Sequence, residues 1–372
     1  MERIMRLIKP TGFLFFAFFS VYIISCEKTK TPPATNPAKS VTYPFMSSLV
    51  VYNGNLIVGG QFTNIGGTPF NNIAQWNGTS WSALGSGLNG SVDALAVYNG
   101  KLIASGGFIM PGSSSLHQFA RWNGSVWDTI PGALSGYGGA TINTMAVYHG
   151  KLYVGGDFYM IGGKHSLAIA SWNDSVWSSV DNGLSVNVGA SGVVSSLIVY
   201  NGALYVGGGF QWANGFISVN NIAKWNDTVW SSLGSGINAP VTNNSVEALT
   251  VWNGNLYAGG YYTTAGGVSA NSIAQWNDTT WSAAGSTPIS NILTLTTFNN
   301  NIVAGGLFST FWGVNEWNGS NWSALGSSFN NASFALINYN NNLYSIFIKT
   351  IPPQNRDSSY IAEWIGNKWL SL

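Results

Sequence analysis

The segment Trp-Asn-Gly/Asp-x-x-Trp recurs along the chain, starting at Trp76, Trp122, Trp172, Trp225, Trp276 and Trp317, with a worn copy at Trp364. A second indole follows five residues later, at Trp81, Trp127, Trp177, Trp230, Trp281, Trp322 and Trp369, so seven copies hold fourteen of the seventeen tryptophans. The intervals between first tryptophans are 46, 50, 53, 51, 41 and 47 residues. Most therefore fall at 46–53 residues, the length of a four-stranded propeller blade rather than of a short solenoid repeat.

One unit shows how the repeat folds. Leu49-Val50-Val51-Tyr52 is a short β-branched run closed by Asn53-Gly54, a pair that supplies the positive φ angles of a tight hairpin. Leu56-Ile57-Val58 is a second strand, ended by Gly59-Gly60, and a loop is expected from Thr63 to Asn72. Ile73 to Trp76 and Trp81 to Leu84 are the third and fourth strands, joined by the Asn77-Gly78 turn. The same pattern fits Leu95 to Ile130, Met145 to Val180, Leu197 to Leu233, Leu249 to Ala284, Leu295 to Leu325 and, with Ile346-Phe347 in place of the glycine pair, Leu336 to Leu372. The expected fold is all-β: a seven-bladed propeller of four-stranded antiparallel blades over residues 47–372. Its ring closes by packing whole blades together, with no strand shared across the seam. The paired tryptophans read as packing across neighbouring strands. No helix follows the glycine pairs, so close strand packing accounts for them better than phosphate binding.

Residues 1–25 precede the fold and read as a secretory signal peptide. Arg3, Arg6 and Lys9 give a basic start, and Gly12 to Ile24 is an apolar run of 13 residues, shorter than the roughly 20 needed to span a bilayer. It ends in Ile23-Ile24-Ser25-Cys26, which resembles the lipobox of bacterial lipoproteins, and Cys26 is the single cysteine of the chain. That resemblance implies lipidation at Cys26 and a membrane as partner, with residues 26–46, which contain four prolines, as a tether. Without the signal, 11 basic and 12 acidic residues remain, a net charge of about −1. With two arginines, Arg121 and Arg356, the chain lacks the basic footprint of a nucleic-acid binder.

Val58-Gly59-Gly60-Gln61-Phe62-Thr63-Asn64-Ile65-Gly66-Gly67 and Asn72-Ile73-Ala74-Gln75-Trp76-Asn77-Gly78 resemble a distantly kelch-like repeat of bacterial secreted proteins and of the fungal cortical polarity-marker family. The resemblance covers residues 47–372 and implies a β-propeller on a cell surface, without shared catalytic residues. The layout of signal, tether and propeller is similar to surface lipoproteins of Bacteroidetes, which implies an outer-membrane, cell-surface location; the periplasmic face stays open.

The copper-radical oxidases that share kelch-like propellers use a cysteine–tyrosine cofactor and histidines. Here Cys26 is committed to the membrane, and His117, His149 and His165 lack ligand spacing, so no metal or other cofactor is expected. Sialidases need three arginines. A glycoside hydrolase or lyase needs paired carboxylates, and the matched first-strand positions Ser47, Asp93, Asn143, Ser195, Glu247, Leu293 and Phe334 offer Asp93 and Glu247, on blades nearly opposite one another. Solvated mouth residues and catalysts are both open readings of that pair.

The loops after strands two and four share one face and vary in length and sequence, as binding loops do. That face carries Phe70, Tyr159, Trp212, Phe216, Phe311 and Trp312 outside the repeat positions, among Asn, Ser and Thr, a combination suited to sugar rings. The competing reading is that they cap the blade tops. The main expectation is a non-catalytic surface binder or scaffold for a polysaccharide or an envelope protein. A carbohydrate-active enzyme and a purely structural envelope protein are the rivals. Finally, Asp128-Thr129, Asp174-Ser175, Asp227-Thr228 and Asp278-Thr279 resemble the O-glycosylation motif of Bacteroidetes secreted proteins, which implies modification at Thr129, Ser175, Thr228 and Thr279; turn chemistry by the aspartate is the alternative.

Overall fold

The computed structural model describes residues 45–109, 116–136, 139–187, 190–238, 246–285, 289–308, 313–326, 331–351 and 356–372. Cys26 and the segment before residue 45 lie outside the described residues, as do Phe311 and Trp312. Seven blade sheets, each four-stranded and antiparallel, follow one another in the chain, each built from four strands of one repeat. Blade 1 is Phe45–Tyr52, Asn55–Gln61, Ile73–Trp76 and Trp81–Ala83. Blade 4, typical of the middle of the chain, is Val193–Tyr200, Ala203–Gly209, Ile222–Trp225 and Trp230–Ser232. The first strand of each blade touches the first strand of the next, and that of blade 7, Ala332–Tyr339, touches that of blade 1. The chain is an all-β propeller, and no sheet mixes strands from both ends.

There is no single central core. The buried apolar side chains form clusters between adjacent blades: Tyr52 and Ile57 of blade 1 pack on Val92 and Phe108 of blade 2, and so on to Tyr339 and Ile346 of blade 7 against Met46 and Phe62 of blade 1. The indoles of each repeat face each other across the outer strand pair, Trp76 opposite Trp81 with ring centroids 5.2 Å apart and tilted by 45°. The second indole also reaches the preceding blade. Its N–H donates to a backbone carbonyl there: Trp127 to Leu84 at 3.1 Å, Trp281 to Leu233 at 2.8 Å, Trp369 to Leu325 at 2.9 Å. Trp81, whose preceding blade is blade 7, has a buried indole N–H without a partner.

On the turn face a second set of bonds links the blades. The tyrosine that ends the first strand donates to the glycine carbonyl of the next blade's hairpin: Tyr98 to Gly150 at 3.1 Å, Tyr148 to Gly202 at 3.0 Å, Tyr200 to Gly254 at 2.9 Å. Tyr339 makes the same bond to Gly54 across the seam at 2.8 Å.

The glycine pair of the second strand has two separate jobs. A Cβ on the first glycine would meet the next blade: at Gly59 it would lie 2.5 Å from Val92 Cγ1, and at Gly207 2.4 Å from Val246 Cγ1. A Cβ on the second would strike the first strand of its own blade, 2.0 Å from Thr141 O at Gly156 and 2.0 Å from Val193 O at Gly208. Gly207→Ala is therefore expected to lower unfolding free energy by about 1–3 kcal/mol through overpacking. Gly107→Ala, whose Cβ would have nothing nearer than Ser91 Oγ at 3.8 Å, should be close to neutral. Denaturant melts of the two variants check the contrast.

Candidate binding site on the loop face

A register slip in the first strand shapes the mouth of the channel. In every blade the first strand slips register opposite the pair, between Met46 and Ser48, Val92 and Ala94, Ile142 and Thr144, Val194 and Ser196, Val246 and Ala248, Ile292 and Thr294, and Ser333 and Ala335. Each slip is a β-bulge that leaves one residue unpaired and re-aims its side chain. The seven bulge residues are Ser47, Asp93, Asn143, Ser195, Glu247, Leu293 and Phe334. They are the positions aligned from the sequence, and all are half-buried. The first strand is hydrogen-bonded on one side only, so its other edge carries free backbone groups. Bulge side chains satisfy part of that edge: Ser47 Oγ donates to Val92 O at 2.6 Å, and Asn143 Nδ2 to Val194 O at 3.1 Å, both in the next blade.

Asp93 and Glu247 occupy this position without a proton to donate when ionised. Burial pushes the Asp93 carboxyl up to about 6, against a hydrogen bond from Ser91 that lowers it. Burial likewise pushes Glu247 up to about 7, against a hydrogen bond from Ser195. The ring does not set the two carboxylates side by side. The bulge residues flanking Asp93 are Ser47 and Asn143, and those flanking Glu247 are Ser195 and Leu293.

The loop expected at 63–72 is instead a small hairpin, Asn64–Ile65 with Thr68–Pro69, turned by Gly66 and Gly67 at φ 55° and 85°. Blades 3, 4 and 5 have counterparts, and there the linker entering the blade pairs with the hairpin: Leu134–Ser135 with Met160–Ile161, Leu184–Asn187 with Trp212–Ala213, Ile237–Asn238 with Thr264–Ala265. These strands are only two to four residues long, and sequence alternation cannot show over so short a run.

This second tier sorts the aromatic candidates. Trp212 is 36% exposed, in register with Ser218 across the hairpin, and Phe216 at the hairpin's turn is 70% exposed. Among the described residues no other aromatic side chain is as open. Asn182 Nδ2 donates to Asn214 Oδ1 beside them. Phe70 corrects the expectation: it is 5% exposed and packs in the cluster between blades 7 and 1, because its hairpin folds down onto the blade. Tyr159 is half-buried, with its N–H donating to Ser135 O at 2.9 Å.

The turn motifs are also rearranged. The asparagine, not the aspartate, makes the turn: Asn226 Oδ1 accepts from the N–H groups of Thr228 and Val229 at 3.1 and 2.8 Å. Asp174, Asp227 and Asp278 sit at φ 77°, 79° and 72°, where other repeats have glycine. From there each reaches the preceding blade: Asp174 binds Arg121 at 3.3 Å, Asp227 accepts from Tyr153 at 2.9 Å, and Asp278 from Tyr205 at 3.1 Å. Asp128 lies in a strand and pairs with Arg121 at 2.7 Å. Ser175, Thr228 and Thr279 donate their hydroxyls to the turn asparagine; they and Thr129 are exposed.

One cluster escaped the sequence reading. His149, Lys151 and Tyr153 of blade 3 converge on Asp227 of blade 4, the first two at 3.5 Å, beside a cleft of about 150 Å³. The signal available was the break in the repeat: His149 stands where Asn53, Asn99 and Asn201 stand in other blades. Among the described residues no group of three or more His, Cys, Asp or Glu is arranged to hold a metal ion.

No protein-family model matches the chain, and no curated protein does. Two solved structures align with it. YjhT aligns over 87% of this chain and 99% of its own, with 13% identity and a TM-score of 0.45. The GH74 enzyme of Niastella koreensis aligns over 88% of this chain and 56% of its own, with 11% identity and a TM-score of 0.36.

The bulge carboxyls have a measurable signature. Each takes up its proton more readily folded than unfolded, so the folded state binds more protons between about pH 4 and pH 7. The stability they contribute is complete below the unfolded pKa and is lost as pH rises through about 6 for Asp93 and about 7 for Glu247. Asp93→Asn and Glu247→Gln should therefore raise the melting temperature at pH 8, each by the equivalent of about 1–2 kcal/mol, and change little at pH 4. Thermal melts at the two pH values check this.

Proposed function

We propose that this propeller is a non-catalytic binding protein of the bacterial cell surface, held to the outer membrane through lipidated Cys26 and engaging a glycan through its loop face. The observation that carries the reading is the Trp212–Phe216 hairpin. A large indole and a phenyl ring stand exposed on a four-stranded sheet, beside Ser218, Asn182 and Asn214, instead of packing on the blade below. Soluble proteins usually cover such side chains unless a partner does, and ring faces beside amide and hydroxyl groups match the apolar faces and polar edges of sugars. Pairing on both sides, to Leu184–Ser185 and to Ile217–Ser218, holds the indole in place before a ligand arrives.

Trp212→Ala and Phe216→Ala should each weaken retention on the polysaccharide that the protein binds in a screen of cell-surface glycans, by about 1–2 kcal/mol, with melting temperatures within a degree or two of the parent. Lost stability with unchanged retention would assign the pair to packing. Cys26→Ala should move the protein from the membrane to the soluble fraction, or leave it unprocessed; membrane retention that persists in detergent-free washes would remove the anchor from the reading.

A second reading, a glycoside hydrolase or lyase, is favoured by one observation: Asp93 and Glu247 are held near 6 and 7, in the range of a working general acid. Against it, neither has a second carboxylate at an adjacent ring position. Turnover of a bound polysaccharide that Glu247→Gln or Asp93→Asn abolishes would decide for the enzyme.

A further inference from the structure

The third strand of each blade carries, opposite the middle of the second strand, a position that is long and polar in six of seven repeats: Gln75, Arg121, Lys224, Gln275, Glu316 and Glu363. Each reaches into the space beside the turn face and finds a partner there. Arg121 pairs with Asp128 and Asp174, Gln275 accepts from the Tyr257 hydroxyl at 2.7 Å, and Glu363 accepts from Asn342 at 2.6 Å. In blade 4 the Lys224 ammonium lies 5.6 Å from the centre of the Tyr205 ring. Blade 3 alone has a short residue, Ser171, opposite Tyr153. The volume that a long side chain fills elsewhere is a cleft here, about 150 Å³ in size, lined by Lys151, Tyr153, Ser178, Asn173, Trp225 and Asp227 together with Ser171.

The groups around this notch are arranged to receive something. Trp225 is 6% exposed, and its indole N–H lies against the Tyr153 hydroxyl at the back of the notch. Asn173 spends Oδ1 on its own turn, accepting from the N–H groups of Ser175 and Val176, and leaves Nδ2 unused among the described residues. Lys151 and Asp227 stand 3.5 Å apart and partly exposed, a pair worth little as a surface bridge and open to a bridging hydroxyl. Burial pushes the Asp227 carboxyl up, but the Tyr153 hydroxyl and Lys151 outweigh it and hold the group below the usual range, so it is an acceptor at neutral pH.

We infer that the notch between blades 3 and 4 is a second binding site, on the turn face, for one neutral six-membered sugar ring. A cavity of similar size, ~150 Å³, holds one benzene ring in an apolar setting. Donors at Lys151 and Asn173, an acceptor at Asp227 and serine and tyrosine hydroxyls that do both match the hydroxyls of a pyranose, each of which donates and accepts. Lys151 and Asp227 offset each other in charge, so neither an anion nor a cation is preferred. The site is independent of the Trp212–Phe216 hairpin, which lies on the opposite face.

The test titrates full-length protein with glucose, galactose and mannose, with oligosaccharides ending in each, and with acetate and methylammonium as charged controls, read by saturation-transfer NMR and calorimetry. At least one pyranose should bind in the millimolar range. Equal affinity for the free sugar and the oligosaccharide end indicates a chain-end site; preference for the free sugar indicates a monosaccharide site. Ser171→Gln, which restores the residue of blades 1 and 5, should reduce affinity at least ~tenfold with no loss of thermal stability, both measured on a Trp212→Ala background so that the loop-face site does not contribute. Should Ser171→Gln fail to fold, Lys151→Ala, at an exposed position, should show the same reduction. The inference is overturned if no pyranose binds at tens of millimolar, if either charged control binds more tightly, or if both notch variants that fold bind like the parent.

Discussion

Everything in this molecule depends on how closely one blade lies on the next. The apolar side chains are buried between sheets rather than within a central core, so each blade supplies half of two interfaces. The glycine pair permits that approach, since a single methyl at Gly155 would lie 2.3 Å from Val194 Cγ1 of blade 4. The indole and tyrosine bonds then set the rotation of each blade on its neighbour. They run in one direction on each face: the second tryptophan donates backward, and the terminal tyrosine donates forward. Direction matters because it fixes blade angle from both edges at once, leaving the loop face as a rigid platform.

The channel mouth is built by the first strands. The first strand slips out of register in every blade, including blade 7 where Phe347 replaces the second glycine, and the displaced residue becomes a ring member free of the ladder. Function at the mouth is therefore written in positions that packing does not specify. Ser47 and Asn143 there stitch one blade to the backbone of the next, whereas Asp93 and Glu247 accept from Ser91 and Ser195 and gain an elevated proton affinity.

How much was legible from residues alone follows from how local each feature is. The blades could be read because Trp76 and Trp81, Asn53-Gly54 and Gly59-Gly60 repeat at fixed spacing, and each has a local geometric reason. The alignment that picked out Ser47, Asp93 and Glu247 found true structural equivalents, although nothing in the sequence announced a bulge. The hairpins of the second tier are hidden because their strands are too short for alternation, and the burial of Phe70, the capping reading of the two its position allows, depends on a hairpin folding over it. Asp227 was misjudged because its partners, Lys151 and Tyr153, are more than seventy residues away and approach only when blade 4 docks on blade 3.

The seam between blades 7 and 1 differs from the other junctions in kind. It has the tyrosine bond from Tyr339 to Gly54 and a contact between Met46 N–H and Ser359 Oγ. It has no covalent linker crossing it, and the Trp81 indole that elsewhere would bind the preceding blade is unpartnered. Local opening follows the path of fewest broken contacts. The ring therefore breathes like a split washer: blades 1 and 7 part first, while blades 3 to 5, locked by neighbours on both sides and by the second-tier sheets, exchange their amide hydrogens last.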